Sequence, residues 1–147
     1  MTASDGPSRR IVVGIDGSES SLDALRSAAR LAAALGCPLE AISVWVYPPI
    51  FEADPPAQWG LEEDAQRTVD SAGGAVFGAD FPAWFTATTR RGSPARVLIE
   101  ESAGAEMLVL GSRGHGGFVG MLLGSVSTVC VQHAKCPVLV VRHSSTG

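Results

Sequence analysis

A chain of 147 residues, 46% hydrophobic and 18% charged, has the composition of one globular domain with a sizeable core, which excludes a disordered or acidic-tail protein. No apolar run approaches the roughly 18 residues of a membrane span, and the polar stretch from Met1 to Arg10 lacks the apolar centre of a signal peptide, so a cytoplasmic protein is expected. A net charge of −4, with no basic run beyond two residues, argues against nucleic acid as a partner, and Lys135 is the only lysine available to any lysine chemistry.

Ile11 to Ile15 is a near-continuous apolar run, as in a strand buried on both faces. Ser18 then caps a helix with Leu22, Leu25, Ala28, Ala29, Ala32 and Leu35 as its apolar stripe, and Gly36 and Pro38 end it. Leu39 to Tyr47 reads as the second strand. Pro48, Pro49, Pro55 and Pro56 keep the following segment out of regular structure. A helix is expected from Leu61 to Phe77, weakened by Gly73 and Gly74. Trp84 to Arg91, rich in threonine and aromatics, predicts the third strand. Ser93 and Pro94 open a helix to about Ala103, and Met107 to Leu110 is a fourth buried strand. A glycine-rich stretch from Gly111 to Leu123 leads to a helix from Ser125 to Ala134, and Pro137 to Arg142 is the last strand. The first eight residues and Ser144 to Gly147 read as frayed ends.

Strands and helices in strict alternation predict an α/β fold, a single doubly wound domain over residues 1–147 with its ordered core at about 9–143. Cys37, Cys130 and Cys136 form no CxxC pair, which suits a reducing compartment. Cys130, His133 and Cys136 offer metal-like spacing but no fourth ligand, so no metal site is predicted and Cys130 reads as core.

In open parallel sheets, ligands bind beyond the carboxyl ends of the strands. Two loops there are unusual: Gly14-Ile15-Asp16-Gly17-Ser18 after the first strand, and Gly111 to Ser127 after the fourth. Glycines let backbone amides turn toward an anion, and Gly124-Ser125 opens a helix whose dipole favours phosphate. Ser125 and Ser127 add hydroxyl donors, and Arg113 and His115 lie within reach of such a loop. A Walker A motif is excluded because no lysine lies near a glycine loop, and GxGxxG fails because Val119 stands at its third glycine.

The loop fits G-x2-G-x9-G-S through Gly111, Gly114, Gly124 and Ser125. With IVVGIDGSESSLDAL near the start and KCPVLVVR near the end, the chain resembles the universal stress protein family, in its ATP-binding subgroup, over about Arg10 to Arg142. The resemblance implies a Rossmann-like five-stranded parallel sheet ordered 3-2-1-4-5 with four helices. It also implies that Gly14, Ile15 and Asp16 line an adenosine pocket and that the backbone of Val44 contacts adenine. Gly111 and Gly114 would form the ribose and phosphate loop, and Gly124, Ser125, Val126 and Ser127 the phosphate cradle. Tyr47 to Trp59 would then form a mobile cover beside the adenine.

The expected function is a small ATP-binding stress protein, a nucleotide-dependent sensor or regulator. Mg2+ dependence stays open. A robust catalyst is not expected, since no Ser-His-Asp set, metal cluster or paired acid and base stands out. Two alternatives remain: another adenine ligand such as cyclic AMP, or a weak ATPase or phosphatase using Asp16, although Ser18 stands where phosphatases of that kind place a second aspartate. In the implied order the last strand is an edge, and its apolar Val138 to Val141 predicts pairing into a homodimer. No membrane or nucleic-acid partner is expected, and the sequence names no downstream protein partner.

Overall fold

The computed structural model describes residues 9–46, 60–113 and 124–142. Their elements follow the predicted alternation: β1 (Ile11–Gly14), α1 (Glu19–Leu35), β2 (Leu39–Trp45), α2 (Leu61–Phe77), β3 (Phe85–Arg91), α3 (Pro94–Ser102), β4 (Met107–Gly111), α4 (Ser125–His133) and β5 (Val138–Val141). The expected cover from Tyr47 to Trp59, the glycine loop from Gly114 to Leu123 and both expected frayed ends lie outside the described residues.

All strand pairings are parallel, in the order β3-β2-β1-β4-β5. Strand alternation divides the core between two faces. Ile11, Val13, Leu39, Ala41 and Val109 pack with Ala24, Leu25, Ala28 and Ala32 of α1 and Val69 of α2. Val12, Ile42, Leu108 and Leu110 pack on the opposite face with Leu98 of α3 and Cys130 of α4. Burial pushes the Cys130 thiol up to about 11, so it behaves as a small core residue.

Local chemistry explains the boundaries. Gly36 caps α1 in the left-handed conformation at φ 70°, where a Cβ is disfavoured. Gly73, which weakens α2 on propensity alone, is buried there because a Cβ would stand 2.8 Å from the Phe81 ring and 3.0 Å from Phe85.

Beside α3 the same face carries a closed ring of charges. Arg10 donates from Nε to Glu40 and from Nη2 to Glu101, both at 2.6 Å. Arg90 donates from Nη2 to Glu40 at 3.0 Å and from Nε to Glu101 at 3.2 Å, and Thr88 adds a hydroxyl bond to Glu40 at 2.8 Å. Burial raises the pKa of Glu40, but the bonds from Arg10 and Thr88 and the charges of Arg10 and Arg90 outweigh it, holding the carboxyl below its ordinary range.

Candidate functional site

Strand order reverses between β1 and β4, whose carboxyl ends lie side by side, with α1 on one face of the sheet and α4 on the other. This is where open α/β sheets hold their ligands. Gly14, Ile15, Asp16, Val44, Gly111, Arg113, Gly124, Ser125, Val126 and Ser127 all gather at this end of the sheet; Gly114 and His115 lie outside the described residues.

On the β1 side, Ile15 is buried and donates its amide to the Ile42 carbonyl at 2.9 Å. The next residue turns the chain into α1. Asp16 Oδ1 accepts the Ser18 amide at 2.9 Å and the Ser18 hydroxyl at 2.6 Å, while Ser18 Oγ accepts the Ser21 amide at 3.1 Å. Asp16 therefore shapes the entry to the helix just beyond the carboxyl end of β1. The β1–β2 register ends at Gly14 opposite Ile42, short of Val44, which still pairs with Arg90 of β3. Val44 thus sits where the two strands part.

On the β4 side the chain leaves and returns through a narrow neck. Gly124 donates its amide to the Ser112 carbonyl at 2.6 Å, and Ser127 donates its hydroxyl to the Gly111 carbonyl at 2.6 Å. Ser112 in turn donates its amide to Val141 of β5 at 2.9 Å. The Ser127 hydroxyl thus braces the start of α4 against the end of β4. Arg113 is exposed, and its amide donates to Ser20 Oγ at 3.1 Å.

Two glycines expected to face a ligand also have packing reasons to be glycine. A Cβ on Gly111 would stand 2.6 Å from the Ser20 carbonyl, so the close approach of the start of α1 to the end of β4 requires glycine there. A Cβ on Gly14 would meet Leu98 of α3 at 2.9 Å.

Helices α3 and α4 both begin without a side-chain cap bond or a first-turn acid, and of the two it is α4 that follows β4 at the strand reversal. Its N-cap is Gly124, in extended geometry; no side chain caps the helix, and its first turn holds no acidic residue. The amide-rich end of a helix carries about half a positive charge. Ser125 is exposed at that end.

Sequence reasoning passed over Ser20 and Ser112, both buried and both tying the neck to its surroundings. The signal was present for Ser20, which falls four residues before Ala24 on the buried stripe of α1, where a hydroxyl needs a partner.

The sequence pattern described as the universal stress protein family matches residues 7–142. This chain belongs to the universal stress protein family. A universal stress protein of Mycolicibacterium smegmatis is 37% identical over 90% of this chain and 45% of its own length. One from Mycobacterium tuberculosis is 34% identical over 92% of this chain and 46% of its own. The chain therefore spans about half the length of these curated relatives. Among solved structures, a universal stress protein in complex with cAMP superposes with a TM-score of 0.71 at 27% identity, covering 93% of this chain and 99% of the other. The universal stress protein UspA of Lactobacillus plantarum, at 22% identity, gives a TM-score of 0.71 over 94% of this chain and 100% of its own, a likeness of fold. The strand order implied by the resemblance is the order observed. No described helix of this universal stress protein is long and apolar enough to cross a membrane.

Proposed function

We propose that this universal stress protein binds an adenine nucleotide, ATP foremost, in the crevice beyond β1 and β4, and acts in the cytoplasm as a nucleotide-dependent sensor or regulator rather than a robust catalyst. The observation that carries the reading is the uncapped N-terminus of α4, facing the crevice at the point of strand reversal. The amides of its first turn suit phosphate oxygens, each such charge-assisted bond contributing about 1.5–3 kcal/mol. Val44, where β1 and β2 part, presents backbone to the adenine edge, and the Gly14–Asp16 turn lines the sugar. The cAMP complex of a relative at 27% identity supports an adenine ligand and keeps the cyclic nucleotide as the second reading, since both ligands use the same adenine wall.

Mass spectrometry of the small molecule released from denatured purified protein tests this. ATP is the expected result; cAMP alone selects the second reading. An empty protein that also gives no heat with ATP, AMP or cAMP defeats both. Phosphate release above about one per second would move the protein among enzymes, with Asp16 as the first residue to question.

The reading includes a homodimer. β5 is a sheet edge whose Leu139 is exposed, and Val138, Val140 and Val141 are half-buried. The amides of Leu108 in β4 and of Ser112 just after it bond the carbonyls of Pro137 and Val141, so the odd-numbered positions face β4 and the amides of both Val138 and Val140 face outward. Two copies related by a two-fold axis can pair antiparallel along this edge. Val140→Pro removes an outward amide without breaking the β4 ladder, and light scattering is expected to show a folded monomer near 15.2 kDa. A wild-type protein already monomeric at micromolar concentration overturns the dimer.

A further inference from the structure

We propose that Arg10, Glu40, Arg90 and Glu101 form a positioning device for the nucleotide crevice, acting through α3; the inference rests on the nucleotide reading above. The four side chains close a loop in which each arginine bridges the same two glutamates, one on β2 and one on α3. Its members come from the residue before β1, from β2, from β3 and from the last turn of α3. Glu40, with 13% of its side chain exposed, is the most deeply set. Taking charges out of water offsets much of what such pairs gain, so a ring of this kind is a weak source of stability. Its distinctive property is geometric: each guanidinium has a rigid fork, and two forks fix both glutamates in place.

What the ring fixes is α3, which touches both walls of the crevice. Leu98, one turn before Glu101, lies against Gly14 so closely that a Cβ there would be 2.9 Å from its Cδ1. At the other end of α3, the Gly92 amide bonds the Trp45 carbonyl at 2.8 Å, next to Val44. The Ser102 hydroxyl accepts the Lys135 amide at 2.8 Å, and the Cys130 thiol of α4 approaches the Ala95 carbonyl at 3.9 Å. A helix that abuts the adenosine turn and is tied to the phosphate-facing helix sets the distance between them. The ring holds that helix by its last turn, without itself touching ligand.

The test is Glu101→Gln, which keeps the shape of the side chain and removes its charge. ATP affinity is measured by calorimetry well below the melting temperature and compared with wild type and with Val69→Ala. The latter opens the core on the far face, beneath α2, and serves as a control for lost stability alone. Glu101→Gln is expected to weaken ATP about fivefold, with faster amide exchange in α3, while Val69→Ala keeps wild-type affinity. Should Glu101→Gln fail to fold, Arg90→Lys, which keeps the charge but loses the fork, is expected to give the same fall in affinity. A folded ring variant that binds ATP as wild type does, or an equal fall in Val69→Ala, overturns the positioning role and leaves the nucleotide reading intact. A wild-type protein with no affinity for ATP or cAMP removes both.

Discussion

Helices α1 and α4 start from the carboxyl ends of neighbouring strands, yet their first turns are built to opposite specifications. At α1, the Ser18 hydroxyl accepts the Ser21 amide, the Asp16 carboxylate braces Ser18, and Glu19 places negative charge in the first turn. At α4, glycine is the N-cap, and neither a capping side chain nor a first-turn acid is present. Glycine is itself a fair N-cap, so placing it there rather than serine or aspartate sacrifices only about a few tenths of a kcal/mol. The fold does not require that sacrifice, since α1 shows the same connection with a cap. The difference teaches that α1 is finished by its own residues, whereas the first-turn amides of α4 are left without a side-chain partner, which is the end the proposed nucleotide would use.

The largest expected effect comes from making α4 resemble α1. Gly124 has φ −72° and ψ 169°, a conformation in which aspartate makes a good N-cap. In Gly124→Asp the new carboxylate would take the amides offered to phosphate and repel the phosphate as well. Loss of even one charge-assisted bond is worth about tenfold in affinity, so ATP is expected to bind at least about tenfold more weakly in calorimetry. The melting temperature of the ligand-free protein should hardly move, because glycine and aspartate differ by only a few tenths of a kcal/mol as caps. Gly124→Ala sharpens the point: it adds bulk without a cap and is expected to cost less affinity than aspartate. Equal losses would assign the effect to bulk and remove the electrostatic contrast between the two helices.

Both helices were legible in the sequence to different depths. Ser18, the apolar stripe and Gly36 are local signals, and α1 begins and ends where they say. Gly124-Ser125 marked the start of α4 equally well, since a glycine before a hydroxyl-rich run needs no distant partner to be noticed. Roles set by distant residues were harder to read. Gly111 looks like a ligand glycine in sequence, but its contact with Ser20, far earlier in the chain, would demand glycine even without a ligand. The charge ring was invisible for the same reason: Arg10 and Glu101 are 91 positions apart, and Glu40 reads as an ordinary polar residue in a strand until β3 brings Arg90 beside it. Strand order came from the family resemblance, because alternation alone fixes a parallel sheet and leaves its order open.

The smallest expected effect comes from the reverse operation, removing the cap from α1. Ser18→Ala deletes the bond to the Ser21 amide and the brace on Asp16. The lost cap should cost about 1 kcal/mol, which for a domain of this size lowers the melting temperature by about 2–4 °C. Glu19 remains in the first turn, so the end of α1 keeps its negative neighbour and gains little attraction for phosphate. ATP affinity is therefore expected to change by less than about threefold, read against the loss in Gly124→Asp. A clear tightening of ATP on uncapping α1 would show that phosphate lies nearer α1 than α4, and the two helices would exchange roles. Unchanged affinity with a lower melting temperature keeps the division as drawn: the cap on α1 serves the fold, and the open end of α4 serves the ligand.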